Sequence, residues 1–273
     1  DLRRAEYAQV SAQAELLDRR WLEPGTACDL HFAGDPSAVR TALEGAIPGI
    51  DVIVQKTSER RRRLIVADMD STMITIECID ELADYAGIKP QIAAITEAAM
   101  RGDLDFVGAL DARVALLKDL DAAVIDQCRA ERVRLMPGAR TLVQTMRGAG
   151  AATILVSGGF TAFAEPVGAE IGFARVVANV LEIADGKLMG TVARPVVDSA
   201  TKLAELRGAG VALPATLAVG DGANDIPMIE AAGLGIAYHA KPRTAAAAQA
   251  AVHHGDLTVL LYAQGYARKD WAV

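Results

Sequence analysis

Four continuous apolar runs constrain the fold most: LIVA at 64–67, ATILVS at 152–157, ATLAVG at 215–220 and LGIAY at 234–238. A strand that is apolar at nearly every position must be covered on both faces. That is the situation of parallel strands held between two helical layers. The segments between these runs read as helices. PGARTLVQTMRGAG starts at Pro137 and stops at Gly148 and Gly150, and SATKLAELRGAG does the same after Ser199. Such alternation predicts an α/β protein with a doubly wound parallel sheet. A composition that is 52% hydrophobic but only 4% aromatic suits Ala/Val/Leu-rich α/β packing and excludes disorder.

Two interruptions and one preface break the pattern. About 80 residues separate Asp70 from Ala152, where a βαβ unit needs about 30. IDELADYAG, PQIAAITEAAMRG, FVGALDARVALLKDL and AAVIDQCRAERVRL each carry helical apolar spacing there. A helical cap over 76–134 is therefore expected, inserted into a core made of 64–75 and 135–273. Within the core, Asp185-Gly186 between two alternating runs predicts a β-hairpin. Before it, residues 1–60 read as a small α+β module: strand ACDLHF at 27–32, helix at 36–47, strand GIDVIVQ at 49–55. KTSERRRR then reads as a linker whose arginines face solvent.

Bulk properties exclude several functions. The formal net charge of −7 argues against general nucleic-acid binding. Cys28, Cys78 and Cys128 are odd in number and form no CxxC, so neither a zinc site nor a disulfide framework is signalled. No apolar run approaches the roughly 18–20 residues of a membrane span. The opening DLRRAEYAQV lacks a signal-peptide apolar region, and the expected location is the cytoplasm. A homodimer is one assembly left open.

Reactive residue types follow the apolar runs. After 64–67 come Asp68 and Asp70, after 152–156 comes Ser157-Gly158-Gly159, and after 215–219 comes GDGAND with Asp221, Asn224 and Asp225. Open α/β sheets bind ligands at this edge. Asp68 and Asp70 are two apart, so an extended backbone puts both on one face. A calcium loop starting at Asp68 fails, because Met73 stands where Gly is needed and Ile79 where Glu is needed. Two carboxylates at ~4 Å with an effective dielectric of ~20 repel by about 4 kcal/mol, enough to lift one from ~3.9 toward neutrality. One could then act as nucleophile or metal ligand and its neighbour as general acid. GDGAND is no dinucleotide fingerprint, since Asp225 replaces the third glycine. An acidic loop facing phosphate calls for a hard cation, and Mg²⁺ on Asp68 and Asp221 is the economical choice. SGGF offers amides for phosphate oxygens, and Lys202 offers one balancing cation. Taken alone, Lys202 reads as an exposed surface lysine and SGGF as an ordinary turn.

DMDST, SGGF, Lys202 and GDGANDIPMI, in this order, resemble the four motifs of haloacid-dehalogenase-type phosphatases. IECIDELA (76–83), RGDLDFVGALDARVALLKDL (101–120) and AAGLGIAYHAKP (231–242) are further similar to the phosphoserine phosphatases among them. The resemblance covers about 64–263, with residues 1–60 similar only loosely to an amino-acid-binding ACT module. It implies a Rossmann-like core and hydrolysis of phosphoserine through an aspartyl-phosphate. Asp68 would be the nucleophile and Asp70 the acid and base. Asp68, the Asp70 carbonyl and Asp221 would hold Mg²⁺. Ser157, Gly158, Lys202 and Asn224 would hold phosphate, with Asp225 supporting. Glu77 would take the ammonium and Arg113 the carboxylate, with Phe106 walling the pocket. Leu203 follows the lysine where some relatives carry Gly. Transfer of phosphate to another acceptor such as homoserine, action on another small phosphomonoester, and a serine-sensing regulator are the alternatives. A receiver-type phospho-aspartate domain fits less well, because it has neither a large cap nor an acid at the second position.

Overall fold

The computed structural model describes residues 14–101 and 103–272. Ten strands occur among them, numbered in chain order: β1 (Glu15–Glu23), β2 (Ala27–Ala33), β3 (Leu64–Ala67), β4 (Ala152–Phe160), β5 (Arg175–Asn179), β6 (Leu181–Ala184), β7 (Lys187–Val192), β8 (Thr216–Gly220), β9 (Leu234–Tyr238) and β10 (Ala250–Val252). Six form one parallel sheet in the order β10-β9-β8-β3-β4-β5. The four apolar runs are its four inner strands. In β3, Ile65 and Ala67 join one hydrophobic cluster, while Leu64 and Val66 join another. Both faces of the strand are thus covered, which is why it carries no polar residue. The edge strands β5 and β10 have no counterpart in the sequence reading. RVVAN begins on an exposed Arg175 and β10 has three residues, too little for a pattern.

The long insertion contains helices Cys78–Tyr85, Lys89–Arg101, Phe106–Ala115 and Ala123–Arg132. Its two ends meet at one neck: Thr75 N–H donates to the Arg134 carbonyl at 3.0 Å, and Met136 N–H to that of Met73 at 2.9 Å. The hairpin β6–β7 turns at Asp185 and Gly186, with φ of 50° and 74°. Both values are positive, as the tight two-residue turn requires. Sequence places this hairpin but not its docking. Leu188 exchanges hydrogen bonds with Asp119 and Leu120 at 2.9 Å, so the hairpin extends the inserted helices.

At the N-terminal end, β1 and β2 pair antiparallel and the helix Pro36–Leu43 follows, capped by Asp35 on Ser37 N–H at 2.9 Å. Residues 1–13 of the expected module lie outside the described residues. The expected strand at 49–55 is corrected: the segment joins no ladder among the described residues, and Val52 and Val54 pack sideways on Val39 and Leu43. Strand β1 was not expected, because ELLDRRWLE shows no clean alternation.

The arginine run is also corrected. Arg60 holds Asp29 with both terminal nitrogens at 2.6 Å and donates to the carbonyls of Ala263 at 2.7 Å and Tyr262 at 2.9 Å. Arg62 is buried and donates to Gln55 at 2.7 Å and to the Pro214 carbonyl. Arg61 covers the Tyr266 ring at 4.3 Å. A run of like charges looked solvated in sequence, yet Arg60, Arg61 and Arg62 each have a partner, and Arg63 is exposed. Arg60→Ala is expected to lower unfolding stability by about 1–3 kcal/mol in urea titrations, since it strands the Asp29 carboxylate. A change within about 0.5 kcal/mol would restore the solvated-linker reading.

Candidate active site

Asp68 follows the last residue of the central strand β3, and its N–H still pairs with the Val219 carbonyl at 3.0 Å. The chain then turns sharply. The Met69 carbonyl accepts from Thr72, Met73 and Ile74 at 3.2, 2.8 and 3.0 Å, and Ser71 takes a left-handed φ of 55°. That conformation costs of order 1 kcal/mol for a non-glycine residue. It is held by the Ser71 hydroxyl, which donates to Glu77 at 2.7 Å. The turn keeps Asp70 at the sheet edge beside Asp68. Gly159 accommodates it: a Cβ there would lie 3.0 Å from Asp70 Oδ2. Asp70 Oδ1 is buried without a hydrogen-bond partner.

Lys202 is fully buried, so the surface-lysine reading is corrected. The helix Ser199–Gly208, capped by Asp198 on Thr201 N–H at 2.8 Å, delivers it from its first turn. Its Nζ donates to Asp68 Oδ1 and to Asp225 Oδ1, the latter at 2.6 Å. Asp225 Oδ2 accepts from Gly222 N–H at 3.0 Å, so both its oxygens are occupied. Gly220 makes room, because a Cβ there would sit 2.4 Å from Asp225 Oδ2. Asp221 is less committed: among the described residues its side chain accepts one long 3.4 Å contact, from the Thr72 hydroxyl. Asp68, Asp221 and Asp225 each place a carboxylate oxygen within 4.8 Å of the others.

Asp68, Asp70 and Asp221 titrate above their ordinary range. Burial, then the Glu77 charge, pushes Asp70 up to about 7. The expected cause was repulsion from Asp68, and it is corrected: removal from water is the larger effect, and Glu77 is the neighbour that adds to it. Burial and Asp225 raise Asp221 to about 6. Burial also raises Asp68, helped by Asp225 and opposed by Lys202. Burial draws Lys202 down, but Asp225 and Asp68 outweigh it and hold the ammonium charged.

A cleft of about 830 Å³ opens above these groups. Asp68, Asp70, Ser157, Gly158, Asp221 and Asn224 line it from the core, and Glu77, Phe106 and Arg113 from the insertion. Lys202 and Asp225 lie beneath its wall rather than on it. Ser157 Oγ accepts from Gly159 N–H at 2.8 Å, which shapes the loop that ends β4. A Cβ on Gly158 would meet the Phe106 ring at 3.0 Å, so insertion and core touch at this point. Glu77 precedes the helix Cys78–Tyr85 at its capping position. Arg113 spends Nε on the Ala109 carbonyl at 3.2 Å; burial lowers its pKa, and Asp80, Glu77 and Asp70 counter that. Sequence reading missed Asn179, Lys241 and Arg243. Asn179 is buried, donates to the Gly158 carbonyl at 2.8 Å and accepts from Val197 N–H at 2.7 Å. It ends an edge strand that itself gave no signal. Lys241 lay inside a motif with no role attached.

A parallel sheet with carboxylates and one buried lysine at its carboxyl edge, under an inserted cover, defines a class. The sequence pattern of haloacid dehalogenase-like hydrolases matches residues 65–230, and the chain belongs to that family. It is similar to a phosphoserine phosphatase of Streptomyces coelicolor, 46% identical over 90% of this chain and 62% of the relative. Phosphoserine phosphatase SerB2 of Mycobacterium tuberculosis is 48% identical over 90% of this chain and 63% of its own length. The chain thus spans about three fifths of these relatives. A crystal structure of a probable phosphoserine phosphatase from Vibrio cholerae superposes with a TM-score of 0.77 at 35% identity, covering 97% of this chain and 84% of that one. No helix among the described residues is long and apolar enough to cross a membrane.

Lys202→Met is expected to cost about 3–5 kcal/mol, because it leaves Asp68 and Asp225 buried without a counter-ion. Burial would then raise the Asp68 carboxyl with no lysine to oppose it, so its folded pKa would lie above the unfolded one. The variant's stability should therefore fall as pH rises from about 5 to 8, more steeply than in the native protein, when followed by urea denaturation at each pH.

Proposed function

We propose that the chain hydrolyses O-phospho-L-serine to L-serine and phosphate. The observation that carries this is the convergence in one cleft of Asp68 and Asp70 from the core with Glu77 and Arg113 from the insertion. The first pair suits phosphoryl chemistry. The second suits a zwitterion, with a guanidinium fork for its carboxylate and a carboxylate for its ammonium.

An Asp68 carboxylate oxygen attacks phosphorus, and the bond from phosphorus to the serine oxygen breaks. Asp70, kept protonated near neutral pH by burial and Glu77, gives its proton to that oxygen, and L-serine leaves. Asp70 then takes a proton from water, whose oxygen attacks the phosphorus of the aspartyl-phosphate. Phosphate departs and the Asp68 carboxylate returns. Lys202 balances charge beside Asp68 throughout, while Ser157, Gly158 and Asn224 hold the phosphoryl oxygens. Phe106 and the inserted helices limit water around the intermediate. The functional division is then module 1–60, core 64–75 with 135–273, and cap 76–134, with free phosphoserine as partner and the cytoplasm as site of action.

The donor set fits Mg²⁺. Asp68 and Asp221 offer hard carboxylate oxygens with capacity to spare, and the Asp70 carbonyl accepts no backbone hydrogen bond among the described residues. Asp225 is spent on Lys202 and Gly222 and supports from behind. When bound, the cation would neutralise phosphoryl charge.

Phosphate release from a panel of phosphomonoesters, with and without Mg²⁺ and homoserine, tests the reading. Phosphoserine should lead the panel, and phosphohomoserine should not form. Asp68→Asn should reduce turnover by roughly 10⁴-fold or more. Arg113→Ala should reduce kcat/KM for phosphoserine roughly 10–100-fold but leave an aryl phosphate nearly unaffected. Equal losses on both would remove Arg113 from carboxylate binding. Thermal melts test the metal site separately. Asp70 and Asp221 have folded pKa values above the unfolded ones, so they stabilise the fold at low pH and this is lost as pH rises through about 6–7. Metal-free protein should therefore lose several degrees of Tm between pH 6 and 8, at roughly 2–4 °C per kcal/mol. Mg²⁺ should restore more of it at pH 8 than at pH 6.

A further inference from the structure

Two cations on the cleft wall have no hydrogen-bond or ion-pair partner for their side chains among the described residues, though Lys241 is near enough to Asp221 to act on its charge. Lys241 and Arg243 line the cleft next to the Asp221–Asn224 loop, and both are exposed. The corner that carries them is held firmly by its backbone. His239 takes a left-handed φ of 44° and its N–H donates to the Val252 carbonyl at 2.9 Å. Lys241 N–H reaches the Asp221 carbonyl at 3.4 Å, and the Lys241 carbonyl accepts from Thr244 and Ala245 at 3.0 Å. Backbone bonds thus fix the corner against the acidic loop and leave the two charged side chains free.

The charge balance of the cleft gives them a task. Among the described residues four acidic side chains line it, Asp68 with Lys202 behind it, Asp70 protonated near neutral pH, Glu77 and Asp221, against three cations, Arg113, Lys241 and Arg243. Without the last two, one guanidinium would face four acids. A phosphate monoester carries about −1.5 to −2 near neutral pH, and so acidic a cleft would repel it during approach. Like-signed groups at a cleft mouth act on a ligand well before contact, changing association by ~10–10³-fold at low ionic strength.

Resting on the phosphatase function above, we propose that Lys241 and Arg243 form a cationic mouth that captures the phosphate dianion of the substrate and of free phosphate. Their target is the phosphate group, not the amino-acid end. The Lys241→Gln/Arg243→Gln double variant of the full chain, with Mg²⁺ present, tests this. At about 0.01 M salt, where charges reach ~30 Å, kcat/KM for phosphoserine should fall roughly tenfold, with the loss in KM rather than kcat. At about 1 M salt, where they reach only ~3 Å, the native protein and the variant should converge. Inhibition by inorganic phosphate should weaken by the same factor. The charge-preserving Lys241→Arg/Arg243→Lys variant should recover native behaviour. An unchanged kcat/KM at low salt, a loss that salt does not erase, or a loss confined to kcat would overturn the proposal. The same assays on p-nitrophenyl phosphate separate it from the substrate assignment. A native protein that cleaves the aryl phosphate but not phosphoserine would sink the assignment, while the tenfold salt-sensitive loss on the aryl phosphate would still support the mouth.

Discussion

Lys202 lies out of water between Asp68 and Asp225, and most of the site is arranged around that contact. Two buried carboxylates, with half-buried Asp221 beside them, cannot share a few ångströms without a cation. The lysine supplies one from a helix whose capping residue, Asp198, sets where its first turn begins. Two strand ends and that helix are thereby tied together. Asp225 spends one oxygen on Lys202 and the other on Gly222 N–H, so it fixes the loop that carries Asp221. Gly220 is small because Asp225 passes so close. What remains uncommitted is Asp221, one oxygen of Asp70 and the side of Asp68 away from the lysine. Those are the groups that chemistry at the sheet edge needs.

The same crowding gives Asp68 and Asp70 different characters. Asp68 has a lysine against it. Asp70 has Glu77, and burial, and an oxygen with no hydrogen bond. Glu77 comes from the start of the inserted helices and is tethered through Ser71, in the strained turn just after Asp70. A residue that lines the cleft from the insertion therefore also helps raise the pKa of a residue on the core. Cap and core are electrostatically one site, joined further where Phe106 meets Gly158.

Sequence patterns carried much of this. Four apolar runs located the inner strands, the residues at their ends gave six of the cleft wall, and the family resemblance added Glu77, Phe106 and Arg113, with Lys202 and Asp225 beneath it. Where the reading failed, local pattern had nothing to say. Arg60 and Arg62 resemble a solvated charge run until the carbonyls of Ala263, Tyr262 and Pro214 come within reach. The 49–55 segment has strand-like residues but no ladder partner among the described residues. Asn179 and Lys241 matter through neighbours about 20 residues away along the chain.

By itself, then, the sequence determined the four inner strands, the insertion and which residue types stand at the strand ends, because each depends on periodicity or on adjacency along the chain. Tertiary structure decided the rest. It decided that Lys202 is buried, that burial and Glu77 rather than Asp68 raise Asp70, and that Lys241 and Arg243 share a cleft with four acidic side chains. The physical reason is common to all three: desolvation and Coulomb interaction depend on distance in space, and the packed fold alone sets that distance.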